Sequence, residues 1–162
     1  MAAAVTAACW WHYGVDLPRI VVVEPDNAAC LMESAHYQSR RALVGDIETV
    51  MAGLSCGEPS WTAWPILQAG ASDFVVVSDA AACEAMRTMA EGMGSDSPVV
   101  SGESAASVVA CLQQAAAQPQ LYSELGFDQE SSVLLIGTEG ATDPSVYLDV
   151  VGKTAEQVVP AA

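Results

Sequence analysis

Three short segments combine glycine with hydroxyl and carboxylate side chains, the groups that bind small ligands and move protons. They are GDIETVMAGLSCGEPS at 45–60, SGES at 101–104 and GTEGATDP at 137–144. The last two each follow a short apolar run, at 98–100 and at 132–136. In α/β proteins, ligands bind outside the carboxyl ends of parallel strands. Both turns are therefore candidate sites, and both are also compatible with plain strand-to-helix turns that cap a helix.

The segment 45–60 is too apolar and too rich in glycine to be a solvated linker, and Pro59 disfavours helix at Glu58. Two interpretations stay open for it, an irregular packed connection or the wall of a site. Its carboxylates at Asp46, Glu48 and Glu58 could form an acid–base pair. Three acids in an acidic protein are weak evidence, and we assign no catalytic acid to the segment.

Lysine, cysteine and histidine give few further candidates. The only lysine is Lys153, in the stretch that follows Gly152. The five cysteines include no Cys-x-x-Cys pair and have no histidine at ligand spacing, so no zinc site is predicted. Cys30 and Cys56 are either free thiols or close enough to pair, and both alternatives stay open.

The composition excludes several classes of protein. The length of 162 residues is enough for one ordinary domain with a real core, and the 52% hydrophobic and 15% charged residues argue against disorder. Twenty acidic residues against five basic ones give a formal charge of −15, which argues against nucleic-acid binding. That surplus fits a soluble acidic surface or adaptation to a salt-rich host. The apolar runs are too short to cross a bilayer. No basic residue precedes Arg19, whereas a secretory signal has a positively charged start, so a cytoplasmic location is predicted.

The chemistry-bearing turns need a sheet to position them. Near-continuous apolar runs at 19–24, 73–77, 98–100 and 132–136 predict strands covered on both faces. Stretches with helical composition alternate with them, and this alternation predicts an α/β fold with three layers, a mostly parallel sheet between helices on both faces. The predicted helices cover residues 1–13, 27–38 (capped by Asp26), 60–69, 79–91, 102–117 and 119–126, with a further helix starting at 143–144.

These motifs resemble the C-terminal part of the diaminopropionate ammonia-lyases, pyridoxal-phosphate enzymes of the tryptophan synthase β type (fold type II). The resemblance covers nearly the whole chain, and the chain resembles less than half of such an enzyme. It implies an incomplete fold of that type, with residues 1–162 as the C-terminal part and the N-terminal half absent, as in a truncated gene, a split gene or a two-chain enzyme. For the intact enzyme it implies a small amino-acid substrate, a homodimer, and conversion of 2,3-diaminopropionate to pyruvate and ammonia by loss of the α-proton and the β-amine.

The resemblance also implies roles for five residues. Ser101, Gly102 and Glu103 would lie beside the cofactor ring, and Thr138, next to Gly137, would place its hydroxyl against the ring nitrogen. Such a neutral partner leaves that nitrogen largely unprotonated, which suits an elimination catalyst.

Two parts of the cofactor site would lie elsewhere. In the family a glycine-rich loop precedes the first helix and binds the cofactor phosphate, so the backbone of residues 1–3 would supply only a remnant of that site. The lysine that holds the cofactor covalently lies in the N-terminal half of the family, which implies that this chain alone is inactive. Two alternatives remain: a different eliminating enzyme of the same cofactor class, such as a threonine or serine dehydratase, and a non-catalytic α/β module that binds a small molecule or a protein.

Overall fold

Eight α-helices and two β-strands are present in residues 1–159, the part of the chain that the structure, a computed structural model, describes. These residues form two units. The first comprises Met1–Thr49 and Leu54–Val76, and the second comprises Val50–Gly53 and the chain from Val77 onward.

The first unit contains α1 (Ala2–Tyr13), β1 (Val21–Pro25), α2 (Cys30–His36), α3 (Ala63–Gly70) and β2 (Asp73–Val77, whose last residue is assigned to the second unit). The strands β1 and β2 pair with each other. At their beginnings the carbonyl of Ile20 accepts the N–H of Ser72 at 2.8 Å, and Arg19 forms an ion pair with Asp73 at 2.7 Å. Because the two strand beginnings lie side by side, the strands are parallel, and α2 and α3 lie on the crossover between them.

Helix α1 packs closely against α3. A Cβ at Gly70 would lie 2.6 Å from Thr6 Cγ2 and 3.3 Å from Trp10 Cε3, so only glycine allows this approach of the two helices. Thr6 is fully buried and donates its hydroxyl to the carbonyl of Ala2, which satisfies the hydroxyl within the helix.

The second unit is built on α4 (Asp79–Glu91) and α5 (Glu103–Ala117), which pack together. The buried faces of these two helices are mostly alanine, which lets their backbones approach closely. The remaining helices are α6 (Pro119–Glu124), α7 (Pro144–Val151) and α8 (Ala155–Val158). Helix α7 packs against α4, and α6 packs against α5.

Local capping signals predicted several of these helices well. Helix α4 begins after Ser78, whose hydroxyl accepts the N–H of Ala81, and it ends at Gly92 with a φ of 80°. The expected cap at Asp26 is wrong, since this residue lies in a short 3₁₀ turn and the N-cap of α2 is Ala29. Helix α8 was not predicted, although Thr154 and Gln157 form a complete capping box at its start.

The α/β class with a parallel sheet is confirmed, but two of the four predicted strands are wrong. Residues 98–100 and 132–136 pair with no strand within the described part of the chain. Val99 donates its N–H to the carbonyl of Met89 instead, and Leu134 is 84% exposed. An apolar run indicates a tendency to be buried, whereas a strand also requires a neighbouring ladder of backbone donors and acceptors.

All five cysteines are free thiols, with Cys30 buried and Cys56 exposed. Burial, helped by the nearby Glu24 carboxylate, raises the pKa of the Cys30 thiol to about 12.

Among residues 1–159, no helix combines the length and the apolar character needed to cross a bilayer.

Candidate functional site

Two of the three sequence motifs meet in the second unit. The N–H of Gly102, at the start of α5, donates to the carbonyl of Glu139 at 3.2 Å. Glycine is required at 102 by proximity, because a Cβ there would lie 2.4 Å from the carbonyl oxygen of Gly140 and 2.7 Å from Glu139 Cγ. The turn 101–104 and the turn 137–142 are therefore in direct contact, although they lie far apart along the chain.

The carboxylate of Glu139 caps helix α5. The N-cap residue of this helix is Gly102, which has no side chain to accept the first backbone N–H groups. Glu139 Oε2 accepts them instead, from Ser104 at 2.8 Å and from Ala105 at 3.4 Å. The N–H of Ala106 donates to the Gly102 carbonyl at 2.9 Å, as in a regular helix. The Glu139 carboxylate thus accepts two donors of the first turn, and a carboxylate there also interacts favourably with the helix dipole.

Ser104 connects this cap to the segment 45–60. Its hydroxyl accepts the N–H of Gly53 at 3.0 Å. The residues Val50–Gly53 belong to the second unit, where Met51 is fully buried and the N–H of Val50 bonds to the Asp79 carboxylate at 3.0 Å. The middle of the segment 45–60 is therefore a packed part of the same unit as the two turns.

The rest of that segment belongs to the first unit and has a structural role there. Glu58 forms an ion pair with Arg40, whose guanidinium also lies 3.5 Å from the centre of the Trp61 ring. The carboxylate of Asp46 accepts the N–H of Glu48 at 2.9 Å. The hydroxyl of Ser55 donates to the carbonyl of Ile47 at 2.9 Å, so side chains close the loop on itself.

The five residues expected to bind a cofactor differ in exposure. Ser101 and Glu103 are each only 5% exposed and Gly102 is buried, so these three lie inside the second unit. Gly137 and Thr138 are exposed. The position at 137 is crowded on one side, since a Cβ there would lie 3.1 Å from the Cβ of Ala105.

Glu103 is a buried ionisable residue of the turn 101–104. Burial raises the pKa of its carboxyl group, and the neighbouring carboxylates of Glu139 and Asp143 raise it further, against the lowering effect of the bond from its own N–H. Asp143 is exposed and caps α7, and the N–H groups of Val146 and Ser145, with the Ser145 side chain, lower the pKa of its carboxyl group. The described residues contain no group of three or more His, Cys, Asp or Glu that could hold a metal ion.

The groups that would anchor the phosphate and the aldehyde of a pyridoxal cofactor are not part of this cluster. Lys153 is exposed between α7 and α8, on the residue after the left-handed Gly152. Helix α1 begins without a side-chain cap, and the N–H groups of Ala4 and Val5 bond to the carbonyl of Met1. Through the exposed residue Thr138, the cluster in the second unit fits the ring of the cofactor, and it contains no lysine for the covalent attachment.

Glu139 is the site residue that sequence reasoning missed. No local pattern relates it to Ser104, because the contact joins positions far apart in the chain. One signal was present: α5 begins at Gly102, and a helix whose N-cap lacks a side chain needs an acceptor from another part of the structure.

Comparison with known proteins supports the resemblance inferred from the motifs. A family model described as "Pyridoxal-phosphate dependent enzyme" matches residues 1–135. The chain is 40% identical over 142 residues to a diaminopropionate ammonia-lyase of Salmonella typhimurium, which covers 84% of this chain and 35% of that protein. The chain thus spans about a third of the length of this curated relative.

Solved structures agree with the fold. The crystal structure of Escherichia coli diaminopropionate ammonia-lyase in complex with D-serine matches 96% of this chain and 40% of its own, with a TM-score of 0.83 and 32% identity. The processed form of threonine deaminase isoform 2 from Solanum lycopersicum matches 99% of this chain and 41% of its own, with a TM-score of 0.74 and 18% identity, which shows the fold alone.

Proposed function

This chain belongs to the family of pyridoxal-phosphate dependent enzymes, and we propose that residues 1–162 are the C-terminal part of a diaminopropionate ammonia-lyase. The intact enzyme would convert 2,3-diaminopropionate to pyruvate and ammonia. The support is the 40% identity over most of the chain to a curated enzyme of that name, against 18% to the tomato threonine deaminase. Its substrate would be a small amino acid, its state a homodimer and its location the cytoplasm.

The observation that carries the proposal is the position of Thr138, an exposed residue on a turn fixed to the start of α5. Thr138 would hydrogen-bond the ring nitrogen of pyridoxal phosphate, with Gly137 beside it and Ser101, Gly102 and Glu103 supporting the wall behind the ring. When bound, the cofactor supplies the electron sink that acidifies the α-proton of an amino acid. A hydroxyl partner binds the ring nitrogen without transferring a full charge to it, which favours elimination.

The covalent anchor of the cofactor would come from another segment. Lys153 is the one lysine of the sequence and is exposed between two C-terminal helices, away from any strand-end turn. When this chain alone is mixed with pyridoxal phosphate, we therefore expect no absorbance band at about 420 nm, where the lysine-bound cofactor usually absorbs. A band that appears, and that disappears in Lys153→Ala, would refute this part of the proposal.

The function is tested with the full reading frame that contains this chain. The purified, cofactor-loaded protein is assayed for ammonia and pyruvate with 2,3-diaminopropionate, threonine and serine at equal concentrations. We expect the highest kcat/KM with 2,3-diaminopropionate. A higher kcat/KM with threonine or serine would identify a dehydratase, and no turnover of any of the three would favour a non-catalytic binding module.

Thr138→Val is the matched variant, since it replaces the hydroxyl by a methyl group at nearly constant volume. We expect weaker cofactor binding and a large loss in kcat, with far-UV circular dichroism unchanged. Glu130→Gln, an exposed acid on the loop before residues 132–136, is the control and should retain both properties.

A further inference from the structure

The turn that carries Thr138 has no strand ladder of its own to hold it within the described residues. The preceding residues 132–136 are exposed and pair with no strand there. The turn contacts the start of α5 through the residue directly after Thr138.

Glu139 holds the turn at several points. Its backbone carbonyl accepts from Gly102 at 3.2 Å, and its carboxylate accepts from Ser104 at 2.8 Å and from Ala105 at 3.4 Å. The other carboxylate oxygen, Oε1, accepts from the hydroxyl of Thr142 at 3.5 Å, within the same turn. Hydrogen bonds to a carboxylate are about twice as strong as neutral ones, and here they act on a helix start that has no cap of its own.

The contact also leaves the turn little freedom to shift. Gly102 accommodates the Gly140 carbonyl in the space that any Cβ would occupy, and the Ala105 methyl closely faces Gly137. Residues on both sides of Thr138 are therefore packed against α5. A residue carried between two such fixed points has its backbone held in place before a ligand arrives, which is how supporting residues make a binding group effective.

We propose that Glu139 is a positioning residue: its carboxylate fastens the turn 137–142 to the start of α5 and so fixes the direction of the Thr138 hydroxyl toward the cofactor ring. This inference rests on the proposed role of Thr138. It assigns Glu139 no contact with substrate or cofactor, and it differs from a purely structural role because the effect of Glu139 on the cofactor must pass through Thr138.

The first test needs no cofactor and uses this chain. Hydrogen exchange of the Ser104 and Ala105 amides is measured by NMR in wild type, Glu139→Ala and Glu139→Gln. Loss of the charge-assisted bonds should speed exchange of these two amides about tenfold to hundredfold in Glu139→Ala. Glu139→Gln, which keeps an oxygen acceptor, should show a smaller increase, and Glu130→Gln none. Unchanged exchange in Glu139→Ala would overturn the proposal.

The second test uses the full reading frame that contains this chain and measures the Kd for pyridoxal phosphate and the absorption spectrum of the bound cofactor. Wild type, Glu139→Ala, Thr138→Val and the double variant form a mutant cycle. Glu139→Ala alone should weaken binding about threefold to tenfold and shift the spectrum in the same direction as Thr138→Val. In the Thr138→Val background it should add no further change.

The outcomes separate the two proposals. If Glu139→Ala weakens binding equally in both backgrounds, its role is structural only and the positioning proposal is overturned while the role of Thr138 stands. If Thr138→Val changes neither affinity nor spectrum, the role of Thr138 fails, and the positioning proposal fails with it. Should Glu139→Ala not fold, Glu139→Gln provides the same cycle with a smaller expected effect.

Discussion

Replacing Gly102 with alanine tests the contact between the two turns most sharply. The φ of Gly102 is −74°, a value that alanine adopts without strain, so the backbone conformation itself costs nothing. The new methyl group would instead lie 2.4 Å from the Gly140 carbonyl oxygen, about 1 Å short of an ordinary contact. A retreat of the turn by that amount would break the hydrogen bond between Gly102 and the Glu139 carbonyl, which measures 3.2 Å.

The expected magnitude follows from two opposing effects. Overpacking of a tight contact costs about 1–3 kcal/mol. Alanine also restricts the unfolded chain, which stabilises the folded state by about 0.4–1 kcal/mol. The middle of the two ranges gives a net loss of about 1–2 kcal/mol. For a chain of this size that lowers the midpoint of thermal unfolding by about 2–8 °C.

Gly140→Ala is the matched control for this experiment. Gly140 is the other member of the contact, but nothing lies within 4 Å of the Cβ that alanine would add there, and its φ is not positive. We expect its midpoint to equal or slightly exceed that of wild type, because only the effect on the unfolded chain remains. The assay is thermal unfolding followed by far-UV circular dichroism. Equal midpoints for Gly102→Ala and Gly140→Ala would refute the contact between the turns.

Three further substitutions have directions fixed by the structure. Glu103→Gln should raise the free energy of unfolding at pH 7, because burial raises the pKa of the Glu103 carboxyl and its ionisation therefore destabilises the folded wild type. The difference in unfolding free energy between variant and wild type, measured by urea unfolding, should shrink as the pH falls toward 4.5, the ordinary pKa of the group. Tyr147→Phe should be neutral or stabilising by about 1 kcal/mol in the same assay, because the Tyr147 hydroxyl is buried without a hydrogen-bond partner among the described residues, and a loss above about 1 kcal/mol would contradict this. Gly137→Ser should lower the unfolding midpoint by crowding the Ala105 methyl group, and Ala105→Gly in the same molecule should restore part of the loss, whereas strictly additive effects would show that the two positions do not share space.

The sequence predicted the elements whose signals are local. Helix α4 has its cap at Ser78 and its terminating glycine at Gly92, within a few residues of the ends they determine, and both were found. The same type of signal at Thr154 and Gln157 was overlooked. The strand predicted at 132–136 was wrong because apolar composition carries no information about the partner that a ladder needs.

The site was predicted in its parts and not in its connections. The motifs at 101–104 and 137–142 were both identified, and the structure brings them together. The role of Glu139 could not be read from the sequence, because its partner Ser104 lies on another element and long-range pairing has no periodic signature. Glu103 is buried near the Glu139 carboxylate, and no local pattern predicts that neighbour either.

The most direct test of the central claim is a crystal structure of the protein encoded by the complete reading frame, with pyridoxal phosphate bound. The account predicts that Thr138 Oγ1 lies about 2.7–3.0 Å from the ring nitrogen, with the Glu139 carboxylate still bonded to the Ser104 amide. A ring nitrogen that bonds to a different residue, or a cofactor bound away from the turn 137–142, would contradict it.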